Sequence, residues 1–360
     1  MRSVKVELGE RSYEIVVGAG LIDEAASYFP QRARYNNVVA IVDANVEPLY
    51  AGRLAASLAR RGRVHKLVVP SGEASKSLEV VAGLLARMAR LEVRRQDVVV
   101  ALGGGVVTDL GGFVASIYQR GIGVVHVPTT LLGQVDAAIG GKTGVNLEAG
   151  KNLVGTFWQP AAVLADISTL KSLPPRQFRS GMAEVIKYGL CYDRSILKTV
   201  EEQREAIESQ DPQVLEDLVF RCAAIKAVVV SQDETDFGGR TILNYGHTFG
   251  HALEAAGGYE QWLHGEAIAV GMMFAAHLAH QMGLLDAEGV EVHRRAFEAG
   301  GLPVRASFDL EAVVGAWSID KKFLDGQRWV LLEGIGHPVI RSDVQPRHIE
   351  AALSKVPAAP

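Results

Sequence analysis

The chain has 360 residues, of which 48% are hydrophobic and 22% charged, as is typical of a globular protein with more than one core. Its net charge of −4 gives no electrostatic case for binding nucleic acid or an anionic membrane. Two cysteines are too few for a disulfide framework, no secretion signal is visible, and no apolar run reaches membrane-spanning length. We therefore expect a cytoplasmic protein of two domains.

The first half of the chain alternates short runs of β-branched residues with helical patterns. After an alternating stretch at 1–8, the predicted strands lie at 37–43, 64–70, 97–105 and 123–130, and the helical patterns at 46–62, 77–91 and 107–121. Such alternation is typical of parallel strands joined by crossover helices. Residues 1–174 are therefore predicted to form an α/β domain with a Rossmann-like parallel sheet that binds a nucleotide.

The strand pattern nearly vanishes after Pro174–Pro175. The sequence then predicts helices at 178–190, 212–230, 247–257 and 264–283, followed by one strand or hairpin at 328–336. Residues 175–360 are therefore predicted to form a mainly α-helical domain. Because ligand sites tend to lie between two such halves, we expect the active site in the cleft between the domains.

Glycines directly follow the predicted strand at 97–105, in the stretch ALGGGVVTDLGG at 101–112. A glycine-rich turn before a helix lets backbone N–H groups approach a phosphate at the helix N-terminus. The dinucleotide fingerprint is incomplete, because its third glycine would fall at Thr108, and a plain tight turn would give the same pattern. Asp43 and the stretch SGEASK at 71–76 also end strands, so we favour a nucleotide site at this edge of the sheet.

The stretch GGKT at 140–143 resembles part of a P-loop. That motif requires a glycine at position 136, where the chain has an aspartate, so we reject this interpretation. Lys142, Lys151 and Asn152 in a glycine-rich segment would still suit a phosphate or a carboxylate. A surface loop with solvated lysines is the alternative.

Two predicted helices carry lysines among apolar residues. Glu184 and Lys187 are three apart and therefore neighbours on one helix face, and their mostly apolar flanks argue against a wholly exposed ion pair. Lys226 follows Cys222 by one turn, on or beside the apolar face of its helix. Such a lysine either extends its ammonium group to solvent or points it into an anion site, and the spacing does not distinguish the two.

Three histidines, His247, His251 and His264, lie within 18 positions of the chain. His247 and His251 are four apart on one helix face, as in a zinc-protease helix, but Thr248 occupies the place of the glutamate base. A catalytic zinc ion takes three protein ligands and keeps one position open. Histidines that only satisfy local hydrogen bonds are the alternative to a metal site.

A carboxylate could complete such a metal site. Two of the three histidines would be joined by Glu184, Glu254 or Glu266, and the spacing does not choose among these glutamates. Arg240 and Asn244 lie just before the first histidine, and this clustering of polar groups favours a functional site.

Six motifs taken together resemble the 3-dehydroquinate synthase family. They are GGGVVTDLGGFVAS (103–116), VPTTLLGQVDAAIGGKTGVN (127–146), GMAEVIKYG (181–189), LNYGHTFGHALE (243–254), LHGEAIAVGM (263–272) and DKKFLDGQRWVLLEGIG (320–336). The resemblance implies conversion of the sugar-acid phosphate DAHP to 3-dehydroquinate and phosphate, in the shikimate route to aromatic amino acids. It also implies NAD and one divalent metal ion, zinc or cobalt, as cofactors.

The resemblance also implies positions for the family's functional residues. The metal ligands fall on Glu184, His247 and His264. The NAD contacts fall on Asp43, Ser71, Gly72, Glu73, Ala74, Ser75, Lys76, Gly105, Val106, Val107, Thr108, Asp109, Thr129, Thr130, Lys142, Lys151, Thr169, Leu170, Lys171 and Ser172. The substrate contacts fall on Asp136, Lys142, Asn152, Lys187, Lys226, Arg240, Asn244, His251 and the pair Lys321 and Lys322. Arg120 matches an arginine that reaches the neighbouring subunit's substrate, which implies a homodimer.

The chain departs from the family pattern at Gln177, where the family usually has a glutamate near the cofactor. Rival enzymes are another sugar-phosphate cyclase, such as a 2-deoxy-scyllo-inosose or sedoheptulose-phosphate cyclase, and a metal-dependent polyol dehydrogenase of the glycerol-dehydrogenase type. Lys226, Arg240, Asn244 and the lysine pair favour the dehydroquinate branch. A module that senses NAD or a sugar phosphate is the non-enzymatic alternative.

Overall fold

The computed structural model describes residues 1–29, 34–319 and 328–357. The strands are β1 (Arg2–Val6), β2 (Tyr13–Gly18), β3 (Asn37–Asp43), β4 (Arg63–Val69), β5 (Val98–Gly103), β6 (Gly123–Pro128), β7 (Lys142–Leu147), β8 (Gly150–Phe157), β9 (Ala162–Asp166), β10 (Trp329–Leu332) and β11 (Pro338–Arg341). The α-helices are α1 (Gly52–Leu58), α2 (Leu78–Arg90), α3 (Gly105–Ile117), α4 (Pro175–Cys191), α5 (Arg194–Glu202), α6 (Arg204–Glu208), α7 (Pro212–Gln232), α8 (His247–Ala256), α9 (His264–Gln281), α10 (Ala287–Ala299), α11 (Leu310–Ile319) and α12 (Pro346–Leu353).

The chain divides into two compact units. The first, called the sheet unit, comprises Met1–Leu173 and Pro212–Thr235, and the second, the helical unit, comprises Pro174–Asp211 and Asp236–Pro360. An α/β fold with a parallel sheet and a mainly helical second part agrees with the fold class predicted from the sequence. None of the helices in the described parts of the chain has the length and apolarity needed to cross a membrane.

One twisted sheet organises the sheet unit. Among the described residues its seven strands follow the order β1-β2-β9-β6-β5-β3-β4, with β1 antiparallel to β2 and the other pairs parallel. Strand β3 shows how the two cores form, because its side chains alternate between the two faces. Val38 and Val42 pack with Leu54 of α1 on one face, and Val39 and Ile41 belong to the core on the other face.

The predicted strands at 37–43, 64–70, 97–105 and 123–130 correspond to β3, β4, β5 and β6. The sequence analysis missed β2 and β9, and it predicted no strand in the glycine-rich segment at 140–152. That segment instead forms most of the β7–β8 hairpin. Gly144 and Gly155 pair there so closely that a Cβ on Gly155 would lie 2.3 Å from the carbonyl oxygen of Thr143. Glycine therefore marks a close backbone approach here, and not a loop.

Helix α7 lies in the sheet unit, although the sequence analysis assigned it to the helical domain. It packs against β1, β2 and the helical turn at Gly133–Ala137. Its side chains Leu215, Val219 and Ala223 are buried in this unit. The helical periodicity identified the element, but periodicity carries no information about the partner against which an apolar face packs.

The helical unit is built around α9, which packs against α4, α8, α10 and α12. The β10–β11 hairpin accounts for the strand or hairpin predicted at 328–336. Lys321 and Lys322, predicted as substrate contacts, lie outside the described residues.

Candidate metal and nucleotide sites

Three side chains predicted as metal ligands lie together in the helical unit. Glu184 comes from α4, His247 begins α8 and His264 begins α9. The Nε2 atoms of His247 and His264 lie 3.8 Å and 3.7 Å from the Oε1 atom of Glu184. One possible ligand atom from each residue falls within 4.8 Å of the others, so one ion could contact all three.

Glycines let the three helices approach closely enough to form this cluster. A Cβ on Gly271 of α9 would lie 2.1 Å from the carbonyl oxygen of Gly246, directly before His247. A Cβ on Gly265 would lie 1.8 Å from the carbonyl oxygen of Ser180 on α4. Real side chains do not tolerate such distances, so glycine at these two positions sets the spacing of the ligand-bearing helices.

The charges of the cluster are desolvated. Glu184 is completely buried, and its Oε2 atom forms an ion pair with the buried ammonium group of Lys187. Burial and the Lys187 charge hold the pKa of His247 well below its usual range. Burial also opposes a charge on His264, but the carboxylates of Glu184 and Glu254 outweigh this effect and raise its pKa to about 10. The site therefore favours positive charge next to Glu184.

The donor set fits a divalent metal ion. The Oε1 atom of Glu184 is buried without a hydrogen-bond partner among the described residues, whereas Oε2 is paired with Lys187. A buried carboxylate oxygen without a donor is costly unless a cation contacts it. Two imidazole nitrogens and one carboxylate form a common ligand set of catalytic zinc sites, in which the fourth position stays open.

The other two glutamates that the sequence left open have different partners. Glu266 accepts hydrogen bonds from Arg176 at 2.7 Å and from the backbone N–H of Leu263 at 2.9 Å, which caps the start of α9. Glu254 is buried, and its Oε2 atom lies 3.3 Å from the Nδ1 atom of His264. The contact of Glu254 was not predicted, since only the packing of α8 on α9 reveals it.

Polar groups and glycines meet at the carboxyl edge of the parallel sheet. Asp43 ends β3 and accepts hydrogen bonds from the hydroxyl group of Ser71 at 2.5 Å and from the backbone N–H of Asn45 at 2.8 Å. A Cβ on Gly103 would lie 3.1 Å from the Cβ of Asp43, and one on Gly104 would lie 2.9 Å from the Thr130 methyl group. Helix α3 then begins at Gly105. This strand–glycine–helix turn fits a nucleotide phosphate, because its backbone can be approached closely.

The stretch at 71–76 joins this edge to the β7–β8 hairpin. The buried Lys76 donates hydrogen bonds to Asp109 of α3 at 2.7 Å and to the side chain of Asn152 at 2.6 Å. Glu73 accepts a hydrogen bond from the side chain of Asn146 at 2.7 Å. Burial opposes ionisation of Lys76, but the carboxylates of Asp109 and Glu73 raise its pKa.

The remaining residues predicted to contact NAD differ in exposure. Thr129 is buried, and Lys142 is exposed on β7. In the 3₁₀ turn Ile167–Ser172, Thr169 and Leu170 are completely buried and Lys171 and Ser172 are exposed. The sequence analysis did not single out Gln134. Its side chain donates hydrogen bonds to Asp166 at the end of β9 and to Thr169 in this turn, and so connects the two.

Lys226 and Asp136, both predicted substrate contacts, meet in the sheet unit. The Lys226 ammonium group donates to the carbonyl oxygen of Asp136 at 2.6 Å and also pairs with its carboxylate. Lys226 is 5% exposed, so its ammonium group does not extend into solvent. Of the two interpretations of this lysine, the structure excludes the solvated one.

Three further predicted substrate residues lie close to His247 in sequence. Arg240 is buried and Asn244 half-buried in the 3₁₀ turn Gly239–Asn244, which leads into α8. His251 is exposed on α8, and its ring centroid lies 5.2 Å from that of His247.

Solved structures with the same fold identify the class of protein. A 2-deoxy-scyllo-inosose synthase complexed with carbaglucose-6-phosphate, NAD⁺ and Co²⁺ is 30% identical, with a TM-score of 0.90 over 99% of this chain and 100% of that chain. The 2-epi-5-epi-valiolone synthase ValA from Streptomyces hygroscopicus, with NAD⁺ and Zn²⁺ bound, is 31% identical, with a TM-score of 0.87 over 97% of both chains. Fold and site together define a sugar-phosphate cyclase.

Sequence comparison identifies the family. Residues 66–180 match the family described as 3-dehydroquinate synthase N-terminal, and residues 181–323 match 3-dehydroquinate synthase C-terminal. A 3-dehydroquinate synthase from Acidithiobacillus ferrooxidans is 43% identical over 98% of both chains. The chain belongs to the 3-dehydroquinate synthase family. It converts DAHP to 3-dehydroquinate and phosphate in the shikimate pathway, by transient oxidation, β-elimination of phosphate, re-reduction and intramolecular aldol closure, and it depends on NAD and a divalent metal ion.

Proposed function

We propose that Glu184, His247 and His264 hold the divalent metal ion of this synthase. The observation that carries this proposal is the buried Oε1 atom of Glu184, which lacks a hydrogen-bond partner among the described residues and faces two imidazole nitrogens. When bound, a zinc or cobalt ion supplies Lewis acidity to a substrate oxygen, and NAD supplies a hydride acceptor and donor. The Lys187 ammonium group beside Glu184 adds a second positive charge for an anionic substrate.

The NAD contacts are proposed at the carboxyl edge of the sheet. Glycine at the β5–α3 turn permits close approach of a pyrophosphate, and the Asp43 carboxylate ends the neighbouring strand, where a ribose could be bound. The proposed contacts remain those implied by the family resemblance, at Asp43, 71–76, 105–109, Thr129, Thr130, Lys142, Lys151 and 169–172.

The substrate contacts are proposed in both units. In the sheet unit the Lys226 ammonium group, paired with the half-buried Asp136, is held out of water, where its attraction to a phosphate or carboxylate is stronger than at an exposed site. Lys142 and Asn152 of the hairpin join this set, and so do Lys187, Arg240, Asn244, His251 and Lys322 from the rest of the chain. Their task is to orient a flexible polyanion and to exclude water from the reacting carbons.

A homodimer with Arg120 acting across the subunit interface is also proposed. Gln119 and Arg120 both adopt left-handed backbone conformations, with φ of 52° and 62°. Non-glycine residues in this region are strained, and such strain is found most often at functional sites. Next to this turn, Ser116 and Thr156 are hydrogen-bonded at 2.8 Å, and their neighbours Ile117 and Phe157 are 40% and 44% exposed. An exposed apolar pair beside a strained arginine suits a subunit contact.

Mixing two inactive variants tests the dimer. Arg120→Ala would disable the neighbour's site and Glu184→Gln its own, so a mixed dimer contains one intact site. Co-refolding equal amounts should restore about a quarter of wild-type activity if dimers form at random. Either variant mixed with itself is the control. Activity that stays at the level of the controls would contradict a contribution of Arg120 to the neighbouring site.

A cytoplasmic location is proposed as well. Neither Cys191 nor Cys222 forms a disulfide, and both are buried, which suits a reducing compartment. Fractionation of cells that express a tagged chain should recover it with cytoplasmic markers, and recovery with membranes or in the medium would contradict the proposal.

The assay for the synthase reaction follows phosphate release from DAHP with and without a metal chelator. We expect stoichiometric phosphate release at constant NADH absorbance, lost with the chelator and restored by zinc or cobalt. Net accumulation of NADH would indicate a polyol dehydrogenase. Undiminished turnover of metal-depleted protein would contradict the metal proposal.

A further inference from the structure

Glu254 is a buried carboxylate to which the proposed reaction gives no role. Glu254 lies on α8 and is 3% exposed. Its Oε2 atom lies 3.3 Å from the Nδ1 atom of His264 at the start of α9. Glutamates are almost never fully buried unless they are paired. The contact between Glu254 and His264 therefore calls for a physical explanation.

The two ring nitrogens of His264 face two different carboxylates. Its Nε2 atom lies 3.7 Å from Glu184 in the metal cluster, and its Nδ1 atom faces Glu254. A neutral imidazole carries one N–H group and one lone pair. If Nδ1–H donates to Glu254, the lone pair on Nε2 points towards the cluster, which is the tautomer that a metal ligand requires.

His247 offers an internal comparison. Its Nε2 atom also faces Glu184, at 3.8 Å, and its Nδ1 atom lies 3.1 Å from the backbone carbonyl oxygen of Tyr245. Both histidines are thus held at Nδ1 by an acceptor, one by a neutral carbonyl and the other by a carboxylate. A carboxylate attracts the Nδ1 proton more strongly, so the lone pair of His264 is the more basic of the two.

We infer that Glu254 is a positioning residue for the metal site. It accepts the hydrogen bond from Nδ1–H of His264, fixes the plane of that ring and strengthens Nε2 as a ligand. The inference rests on the proposed metal ligands and adds to them the residue that orients one of them. Partners of this kind contribute about 10- to 100-fold in metal affinity.

A different arrangement would use the same carboxylate as a direct ligand. His251, Glu254 and His264 also place possible ligand atoms within 4.8 Å of one another. That site would take the Nδ1 atom of His264 and the exposed His251, whereas the other cluster adds the buried Glu184 and His247 to His264. If both sites were filled, His264 would have to bridge two cations and lose its last ring proton. The hydrogen bond requires neither.

Metal affinity tests the inference without using turnover. Zinc binding to Glu254→Gln is compared with that of the wild type by competition against a chromophoric chelator, and the cobalt-substituted forms are compared by their absorption spectra. Glu260→Gln, at an exposed position four residues after the end of α8, makes the same change in charge and is the control. We expect one zinc ion per chain, bound about 10- to 100-fold more weakly by Glu254→Gln, with a shifted cobalt spectrum. The control should match the wild type in both measurements.

Other outcomes overturn the inference. Wild-type affinity and an unchanged cobalt spectrum in Glu254→Gln would show that Glu254 does not position His264. Complete loss of the metal, or a second zinc ion in the wild type that this variant loses, would make Glu254 a direct ligand. If Glu254→Gln does not fold, Glu254→Asp keeps the charge with a shorter reach, and wild-type affinity there would also overturn the inference.

Failure of the underlying metal proposal gives a different result. If Glu184→Gln retains wild-type zinc affinity, the ligand set itself is wrong. If Glu184→Gln loses the metal and Glu254→Gln binds it as the wild type does, only the positioning role is wrong.

Discussion

The side-chain oxygen of Ser180 accepts a hydrogen bond from the backbone N–H of Gly265 at 2.9 Å. Ser180 lies one turn before Glu184 on α4, and Gly265 directly follows His264 on α9. This single buried contact therefore fixes the distance between a carboxylate and an imidazole of the metal cluster. The geometry of the site depends on backbone packing as much as on the ligands themselves.

Gly265→Ala should disrupt the metal site without changing a ligand. Its Cβ would lie 1.8 Å from the carbonyl oxygen of Ser180, a backbone atom that cannot move aside alone. Forced repacking of this kind costs about 1–3 kcal/mol of the free energy of unfolding. We expect lower stability in urea and weaker zinc binding.

A glycine in open space provides the control for this substitution. Gly83 lies within α2, and a Cβ there would meet nothing within 4 Å. Gly83→Ala should leave zinc binding unchanged and stabilise the chain by up to about 1 kcal/mol. Wild-type zinc affinity in Gly265→Ala would show that the contact with α4 does not set the ligand spacing.

Removal of a ligand should abolish turnover together with metal binding. Glu184→Gln keeps the size of the side chain and removes its charge, and His264→Ala removes an imidazole nitrogen that faces Glu184. We expect both variants to lose stoichiometric zinc after dialysis and to release no phosphate from DAHP. The exposed Glu202→Gln on α5 is the matched control. Full zinc occupancy with normal rates in either variant would refute the ligand assignment.

The sequence predicted that a metal site exists better than it predicted which residues form that site. Spacing alone left Glu184, Glu254 and Glu266 as equal candidates. Helical periodicity shows which face of a helix a residue lies on, but not which residue of another helix it contacts. In the structure Glu184 faces two imidazoles, Glu254 contacts the outer side of one of them, and Glu266 caps a helix. The contacts between helices that separate these roles involve residues up to 90 positions apart, such as Arg176 and Glu266.

The fold class was predictable where a local sequence pattern marks an element, and parts of the fold that depend on distant contacts were not. Buried runs such as NVVAIVD at 37–43 mark the central strands, since both faces of those strands are covered. The hairpin at 142–157 has glycines where backbones approach, and its pattern resembles a loop. The place of α7 in the sheet unit depends on its contacts with β1 and β2, which no local pattern encodes.

Lys226→Met should weaken substrate binding far more than NAD binding. Methionine has about the length of lysine but no charge, and Asp136 loses the ammonium group that now pairs with it. A hydrogen bond to a charged group contributes about 1.5–3 kcal/mol, so we expect the KM for DAHP to rise at least about 10-fold. The NAD dissociation constant, measured by titration, should stay within about twofold, because charged NAD contacts are proposed elsewhere.

The exposed Lys198→Met on α5 is the control for this variant. It removes the same charge from the surface and should leave both constants unchanged. Equal losses of NAD and DAHP binding in Lys226→Met would show that Lys226 is not a substrate contact.

Acid should destabilise the chain through two buried histidines outside the metal cluster. Burial lowers the pKa of His126 on β6 and of His293 on α10 to about 4. Below pH 6.5 the unfolded chain takes up protons on these rings, whereas the folded chain does not until about pH 4. The free energy of unfolding is therefore highest above pH 6.5. Between pH 6.5 and about pH 4 it decreases as the pH is lowered, by about 1.4 kcal/mol per pH unit for each ring.

Urea unfolding of metal-free protein between pH 4.5 and 6.5 measures this slope. His126→Leu removes one titrating ring, so its slope should be about 1.4 kcal/mol per pH unit smaller than that of the wild type, whatever its absolute stability. Gly83→Ala, which changes no titrating group, should keep the wild-type slope. Because the other titrating residues are the same in all three proteins, differences between the slopes isolate His126. A slope in His126→Leu equal to that of the wild type would show that His126 is not held neutral by burial.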